Sequence, residues 1–294
     1  MVSSPALVLV AHGTRSARGV EMIAALAEAV ARELGAGVPG FGCGAMDFVS
    51  ESHSETGAGA AFGAASASLR AVRAPGVVSG AGAVTGSGTA AADVPQVRTA
   101  FVDVLGPSPA EVLRDVEAVP AVVVPAFLAS GYHVYQDVPR EVAASAHAAV
   151  AVTRAMGPDP ALAAVMRMRL RAAGWRPGDA VVFAAAGSSD ARALKDVQRA
   201  AGLLAEQIAA PVRSAYIATG EPRVPEVVAQ ARAAGARRVF IASYLLAHGL
   251  FHERLHAAGA DGVAEPIGVH PAIVRLLVDR YRTAADTLAA VHVA

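Results

Sequence analysis

The sequence contains the same order of segments twice, and this repeat limits the possible folds more than any other feature. The matched pairs are 7–14 with 181–188, 97–102 with 212–217, 122–131 with 239–249, and 157–162 with 268–273. Matched blocks that recur in one order indicate a duplicated domain rather than a chance motif. A fold for this chain must therefore be one that can be built from two similar units.

Each copy alternates short apolar runs with segments of helical periodicity. Residues 6–11, 97–104, 119–125 and 150–153 are typical of strands buried on both faces. Residues 20–34 and 109–116 carry apolar side chains at helical spacing. The alternation predicts an α/β fold in which each copy is a parallel four-stranded sheet flanked by helices. We predict two domains, residues 1–175 and 176–294, that meet at a cleft.

A segment of low complexity interrupts the first copy. Between Glu51 and Ala92, 30 of 42 residues are Ala, Gly, Ser or Thr, and four are charged. Such a composition buries too little apolar surface to offset the entropy lost on ordering. We interpret residues 38–96 as an insert that acts as a spacer, with a lid over the cleft as the functional alternative.

Composition excludes several classes of protein. Hydrophobic residues make up 54% of the 294 residues and charged residues 17%, which excludes disorder driven by charge. No apolar run is long enough to cross a membrane, and the N-terminus has no cationic region of a signal peptide, so we expect a cytoplasmic protein. The zero net charge argues against nucleic acid as a partner. The single cysteine, Cys43, excludes an internal disulfide and a thiolate-only metal site.

Polar side chains follow three consecutive strands of the first copy. His12 ends the first strand, Asp103 ends the second, and the loop after the third carries His133 and Asp137. Ligands of parallel sheets sit at the carboxyl ends of the strands, so we expect these groups to converge. His, Asp and His together favour a metal-binding or proton-transfer site.

The second copy provides a comparison within the same chain. Ala186 stands at the position of His12, Ala218 at that of Asp103, and Leu250 or Phe251 at that of His133. Residues required only for the fold should occur in both copies. The asymmetry therefore favours a functional role in the first copy. His248 and His252 are weaker candidates in the second copy, and a small shift could bring His252 to the cleft.

The residues at these strand ends resemble those of a known family. The segments 10–15, 100–103 and 125–139 are similar to motifs of the sirohydrochlorin chelatases of the CbiX/SirB type. The likeness extends over the chain apart from the insert and corresponds to the long form, with two fused chelatase-like domains. The third segment, with Gly131, His133, Asp137 and Pro139 at the family's spacing, is the most specific.

The resemblance implies a lyase that inserts Fe²⁺, or alternatively Co²⁺, into sirohydrochlorin without ATP, in siroheme or cobalamin biosynthesis. His12 and His133 match the family's metal-handling histidines, and they would also accept the displaced pyrrole protons. Asp103 stands where many relatives have Glu. The metal ion would be a substrate and not a permanently bound cofactor. Asp137 and His252 are weaker site candidates.

The macrocycle implied by the resemblance carries several carboxylates. Arg15 and Arg140 are candidates to bind them through paired hydrogen bonds. Ser130 and Gly131 would let the backbone approach the ring closely. We expect a monomer with pseudo-dimeric halves and no nucleic-acid or membrane partner. Two rivals are a non-catalytic tetrapyrrole or metal carrier on the same fold, and an unrelated hydrolase that uses His12 and His133.

Overall fold

Strands of the two copies form separate sheets, as shown by a computed structural model that describes residues 4–14, 16–35, 94–103 and 106–293. The first sheet contains β1 (Ala6–His12), β2 (Val97–Val102), β3 (Ala121–Pro125) and β4 (Val150–Val152), in the order β2-β1-β3-β4. The second contains β5 (Ala180–Gly187), β6 (Val212–Thr219), β7 (Val239–Tyr244) and β8 (Gly262–Val263), in the order β6-β5-β7-β8. All paired strands are parallel. The predicted fold class is confirmed.

Helices connect the strands of each sheet. In the first half of the molecule, which runs from β1 to α4, they are α1 (Ala17–Glu33), α2 (Pro109–Asp115), α3 (Val138–Ser145) and α4 (Pro160–Ala172). In the second half, which runs from β5 to α8, they are α5 (Ala191–Ile208), α6 (Val224–Ala233), α7 (Leu250–His256) and α8 (Pro271–Val293). No helix in the described part of the chain is both long and apolar enough to cross a membrane.

Local sequence explains where these elements begin and how they are buried. Every residue of β1 is buried except His12, as expected for a central strand covered on both faces. Helix α2 begins at a capping box, in which the Ser108 hydroxyl accepts from the Glu111 amide and the Glu111 carboxylate accepts from the Ser108 amide. The Asp159 carboxylate is the N-cap of α4 and accepts from the Ala161 amide.

The last helix of each half packs on the sheet of the other half. Helix α4 packs on β7 and α5, whereas α8 packs on α1, β3 and β4. One apolar core therefore contains side chains of both sheets, among them Leu9, Val124, Phe183 and Phe240. The boundary that we predicted at residue 175 lies in the connection between α4 and β5, and it stays a prediction as a division into domains.

The segment before α3 differs from the predicted loop. A π-helical turn occupies His133–Asp137, and the Val138 amide donates to the His133 carbonyl. Pro139 has no amide hydrogen for the Tyr135 carbonyl, which is consistent with a wider turn at this point. Strands β2 and β3 are shorter than predicted, at Val97–Val102 and Ala121–Pro125. Most of the predicted insert, residues 38–93, lies outside the described residues.

Candidate functional site

A cavity of about 730 Å³ lies between the two halves, at the carboxyl ends of β1, β3, β5 and β7. The first half contributes His12, Gly13, Phe127 and His133 to its lining, and the second half contributes Gly187, Ser188, His248 and Phe251. The cavity is thus where strand topology predicts a ligand site in parallel sheets. Its volume lies within the range of small-molecule binding sites.

His12 enters the cavity because β1 ends there. Its Nδ1 lies 2.7 Å from the Gly13 carbonyl oxygen, so Nδ1 donates its hydrogen and Nε2 keeps a free lone pair. Nε2 lies 3.8 Å from Oδ2 of Asp103, at the end of the neighbouring strand β2. Asp103 has a φ of 77°, a left-handed conformation that is uncommon for a residue other than glycine. The strand end thus holds the Asp103 carboxylate beside the imidazole.

His133 is oriented by a carboxylate of its own helical turn. Its Nδ1 lies 2.7 Å from Oδ2 of Asp137, four residues later. Arg140 places Nη2 at 2.8 Å from the other oxygen, Oδ1, of the same carboxylate. Asp137 is buried, with 8% of its surface exposed. A buried carboxylate that accepts from one ring nitrogen fixes the tautomer of a histidine and leaves the other nitrogen free to bind a metal ion.

The two histidines lie side by side. Their ring centroids are 4.9 Å apart, with an angle of 78° between the ring planes. Across the described ranges, no three His, Cys, Asp or Glu side chains form a preorganised metal site. The two neighbouring imidazoles can each offer a free Nε2 to a divalent ion.

The other predicted residues occupy different positions. Gly131 lines the cavity, whereas Ser130 does not. The Ser130 amide donates to Oδ2 of Asp196, in the second half, at 2.8 Å. Arg140 is exposed and lies against Asp137 rather than in the cavity lining. Arg15 lies outside the described residues. The roles of Ser130, Arg15 and Arg140 toward a substrate stay predictions.

The second half has no counterpart of the histidine pair. Val10 pairs with Pro125 in the first sheet, and the corresponding pair in the second sheet is Ala184 with Ser243. His133 follows Pro125 by eight residues, and Phe251 follows Ser243 by eight, so Phe251 stands at the position of His133. His252 follows Phe251 and touches the cavity, although only 3% of it is exposed. Its Nε2 lies 3.2 Å from the Ala264 carbonyl oxygen. Burial lowers the pKa of His252, so its imidazole is held neutral.

Two residues that sequence reasoning missed hold the segment that leads to His133. The Tyr244 hydroxyl donates to the Leu128 carbonyl at 2.6 Å, and burial raises the pKa of Tyr244, so the hydroxyl stays protonated. The Asp196 carboxylate accepts from the Ser130 amide. Both residues belong to the second half and lie far from His133 in the chain. No local sequence signal could have revealed them.

We expect Asp137→Asn to weaken metal binding at His133 by about 10–100-fold, because the carboxamide no longer fixes the imidazole as the carboxylate does. Titration of the apoprotein with Co²⁺, followed by the visible absorption of the bound ion, measures this loss. Glu141→Gln removes a neighbouring carboxylate that lies 3.9 Å from Arg140 and serves as the matched control. Equal cobalt affinities for the two variants would contradict the orienting role of Asp137.

Comparison with known proteins identifies the family of this chain. The CbiX family profile matches residues 77–173 and again residues 180–284. The chain belongs to the CbiX family. The match confirms the resemblance to this family and reproduces the internal duplication. His12 lies outside both matched ranges, so its role stays a prediction from its place at the end of β1.

Solved structures show the same fold at low sequence identity. SirB from Bacillus subtilis with Fe³⁺ has a TM-score of 0.66 and 20% identity, over 97% of this chain and 97% of that chain. The sirohydrochlorin chelatase SirB from Bacillus subtilis subspecies spizizenii in complex with cobalt has a TM-score of 0.63 and 18% identity, over 97% and 96%. CbiX, the terminal enzyme for biosynthesis of siroheme in denitrifying bacteria, gives 0.57 and 18%, over 95% and 99%. No curated protein sequence matches the chain.

Proposed function

We propose that this CbiX-family protein inserts a divalent metal ion into sirohydrochlorin without ATP, with Fe²⁺ as the first candidate and Co²⁺ as the second. The observation that carries the proposal is the pair His12 and His133, 4.9 Å apart in a cavity between the halves. The structures of similar fold include a sirohydrochlorin chelatase and hold iron or cobalt. The activity would be that of a lyase in siroheme or cobalamin biosynthesis.

The chemistry of insertion suits this pair of imidazoles. A neutral imidazole binds a divalent ion through one nitrogen, and Nε2 is the free nitrogen of both side chains. Asp103, 3.8 Å from Nε2 of His12, would offset positive charge as the ion is held. The ion would be transferred and not retained, as a substrate.

The lining of the cavity suits a flat macrocycle. Phe127 stacks near His133, with ring centroids 6.1 Å apart and an angle of 19° between the planes, which offers an aromatic surface. Gly131 would let the backbone approach the ring. Arg15 and Arg140 would bind the carboxylates of the macrocycle. The Arg140 guanidinium would then interact with a substrate carboxylate and with Asp137 at the same time. Ser130 would act through the position of its backbone.

The proposal extends to the organisation of the protein. The chain would act in the cytoplasm as a monomer in which residues 176–294 replace the second subunit of a dimer. Residues 1–175 would supply the metal-handling side chains. The second domain would supply the opposite wall of the cavity. It would also supply Asp196 and Tyr244, whose hydrogen bonds hold the segment that leads to His133.

A metallation assay tests the proposed function. Purified protein is mixed with sirohydrochlorin and either Fe²⁺ or Co²⁺, without ATP, and the absorption spectrum of the macrocycle is followed. We expect insertion faster than the uncatalysed reaction at equal reactant concentrations. A macrocycle spectrum that shifts on binding but metallates at the uncatalysed rate would contradict the proposal and identify a carrier instead.

A further inference from the structure

A column of three histidines lies in the second half, beside the cavity. His248, His252 and His256 follow one another at intervals of four residues, with ring centroids 5.0 Å apart at both steps and ring planes nearly perpendicular. His248 and His252 line the cavity, whereas His256 does not. The column therefore begins at the cavity and leads away from it.

His248 differs from the other two because a carboxylate lies next to it. Its Nε2 lies 2.9 Å from Oε2 of Glu265. The side chains of His248 and Glu265 are 42% and 55% exposed, so both can exchange protons with water. At this distance the Glu265 carboxylate can accept a hydrogen bond from the His248 ring nitrogen. The pair thus combines access to the cavity with an outlet to solvent.

The proposed reaction requires an acceptor for protons as well as a holder for the metal ion. Each insertion of a divalent ion breaks two pyrrole N–H bonds, and the protons must leave as the metal–nitrogen bonds form. Because the macrocycle is flat, an ion that enters on one face pushes the remaining N–H hydrogens toward the other face. An imidazole that is already bound to the ion has no free lone pair for such a proton.

We propose that His248, supported by Glu265, accepts pyrrole protons from the face of the macrocycle opposite to His12 and His133. This inference rests on the proposed metallation of sirohydrochlorin. In the step, a pyrrole N–H bond breaks and its electron pair binds the metal ion. A new N–H bond forms on the His248 imidazole, whose positive charge lies beside the Glu265 carboxylate. The proton then passes to water, and the next one follows by the same route.

The neighbouring histidine does not compete for this role. His252 is almost fully buried, its Nε2 bonds to the Ala264 carbonyl, and burial lowers its pKa. Protonating it would place a charge in an apolar environment. The titratable groups described against His248 are Glu265 and His252, so a proton taken from the cavity remains on His248, beside the carboxylate, until it passes to water.

The test compares His248→Ala with His256→Ala in the full chain, using the metallation assay. We expect His248→Ala to lower the maximal rate about 100-fold, since proton transfer by a positioned group contributes about that factor. Sirohydrochlorin binding, followed by its spectrum without metal, and Co²⁺ affinity should both stay within about twofold of wild type. His256→Ala, outside the cavity lining, should keep the wild-type rate.

Added imidazole provides a readout that a structural role would not move. It should restore part of the rate of His248→Ala and leave wild type unchanged. Glu265→Gln should also lower the maximal rate, because the imidazolium that forms on His248 loses the carboxylate that lies 2.9 Å from it. Wild-type rates in both His248→Ala and Glu265→Gln would overturn the inference while leaving the proposed function intact. A wild-type protein that fails to metallate would refute the proposed function, and this inference with it.

Discussion

Replacing either His12 or His133 with alanine should lower the rate of metal insertion by about 100-fold or more. Each substitution removes one of the two imidazoles whose rings lie 4.9 Å apart in the cavity. The remaining histidine would hold the ion through a single nitrogen, and a monodentate ion is poorly positioned over the macrocycle. The initial rate of Co²⁺ insertion, read from the absorption of sirohydrochlorin, measures the loss.

The matched control for these variants is His256→Ala, which removes an exposed imidazole on α7. It should insert cobalt at the wild-type rate. The two site variants should keep the thermal stability of the wild type, because His12 is exposed at 50% of its side chain and His133 at 34%. Full activity in both site variants would show that the site is assigned wrongly. A loss in only one would give the metal-handling role to that histidine alone.

Gly187→Ala should destabilise the protein by about 3 kcal/mol or more. Gly187 ends β5 with a φ of 94°, a conformation that side chains other than glycine rarely adopt. An added Cβ would overlap the carbonyl of Thr219, which is backbone of the paired strand β6 and cannot move without breaking the sheet. Urea unfolding followed by circular dichroism measures the change in the free energy of unfolding.

Gly202→Ala is the matched control in the same half of the molecule. Gly202 lies on the exposed face of α5, and an added Cβ would meet no atom within 4 Å. Alanine in the interior of a helix should stabilise the protein by about 0.5–1 kcal/mol, because it loses less backbone entropy on folding than glycine. If Gly187→Ala unfolded at the same urea concentration as wild type, the described conformation at the end of β5 would be wrong.

Strands, helices and strand ends were predictable from local patterns. Apolar runs such as 6–11 predicted β1 to within one residue, because a strand covered on both faces shows a continuous apolar sequence. The same patterns put His12 and Asp103 at strand ends and His133 in the loop after the third strand. In the structure, Nε2 of His12 lies 3.8 Å from Oδ2 of Asp103, and the rings of His12 and His133 are neighbours. Parallel strands share one carboxyl edge, so sequence position implied proximity.

Contacts between the halves were not predictable in this way. These contacts join residues that are far apart in the chain. Helices α4 and α8 each pack on the sheet of the other half, the Tyr244 hydroxyl donates to the Leu128 carbonyl, and the Ser130 amide donates to Asp196. The bond between His133 and Asp137 could have been suspected from their spacing of four residues. The sequence did not predict this bond, because the segment was expected to be a loop and it forms a π-helical turn in the structure.

Periodicity and repetition are local properties of the chain, so they were enough to predict the duplicated α/β architecture and the copy that carries the polar strand ends. The part played by the second copy depended on tertiary packing. It contributes a wall of the cavity, holds the segment that leads to His133, and brings His248 to Glu265. These arrangements depend on packing between distant segments, and that packing minimises the free energy of the whole chain rather than of any one segment.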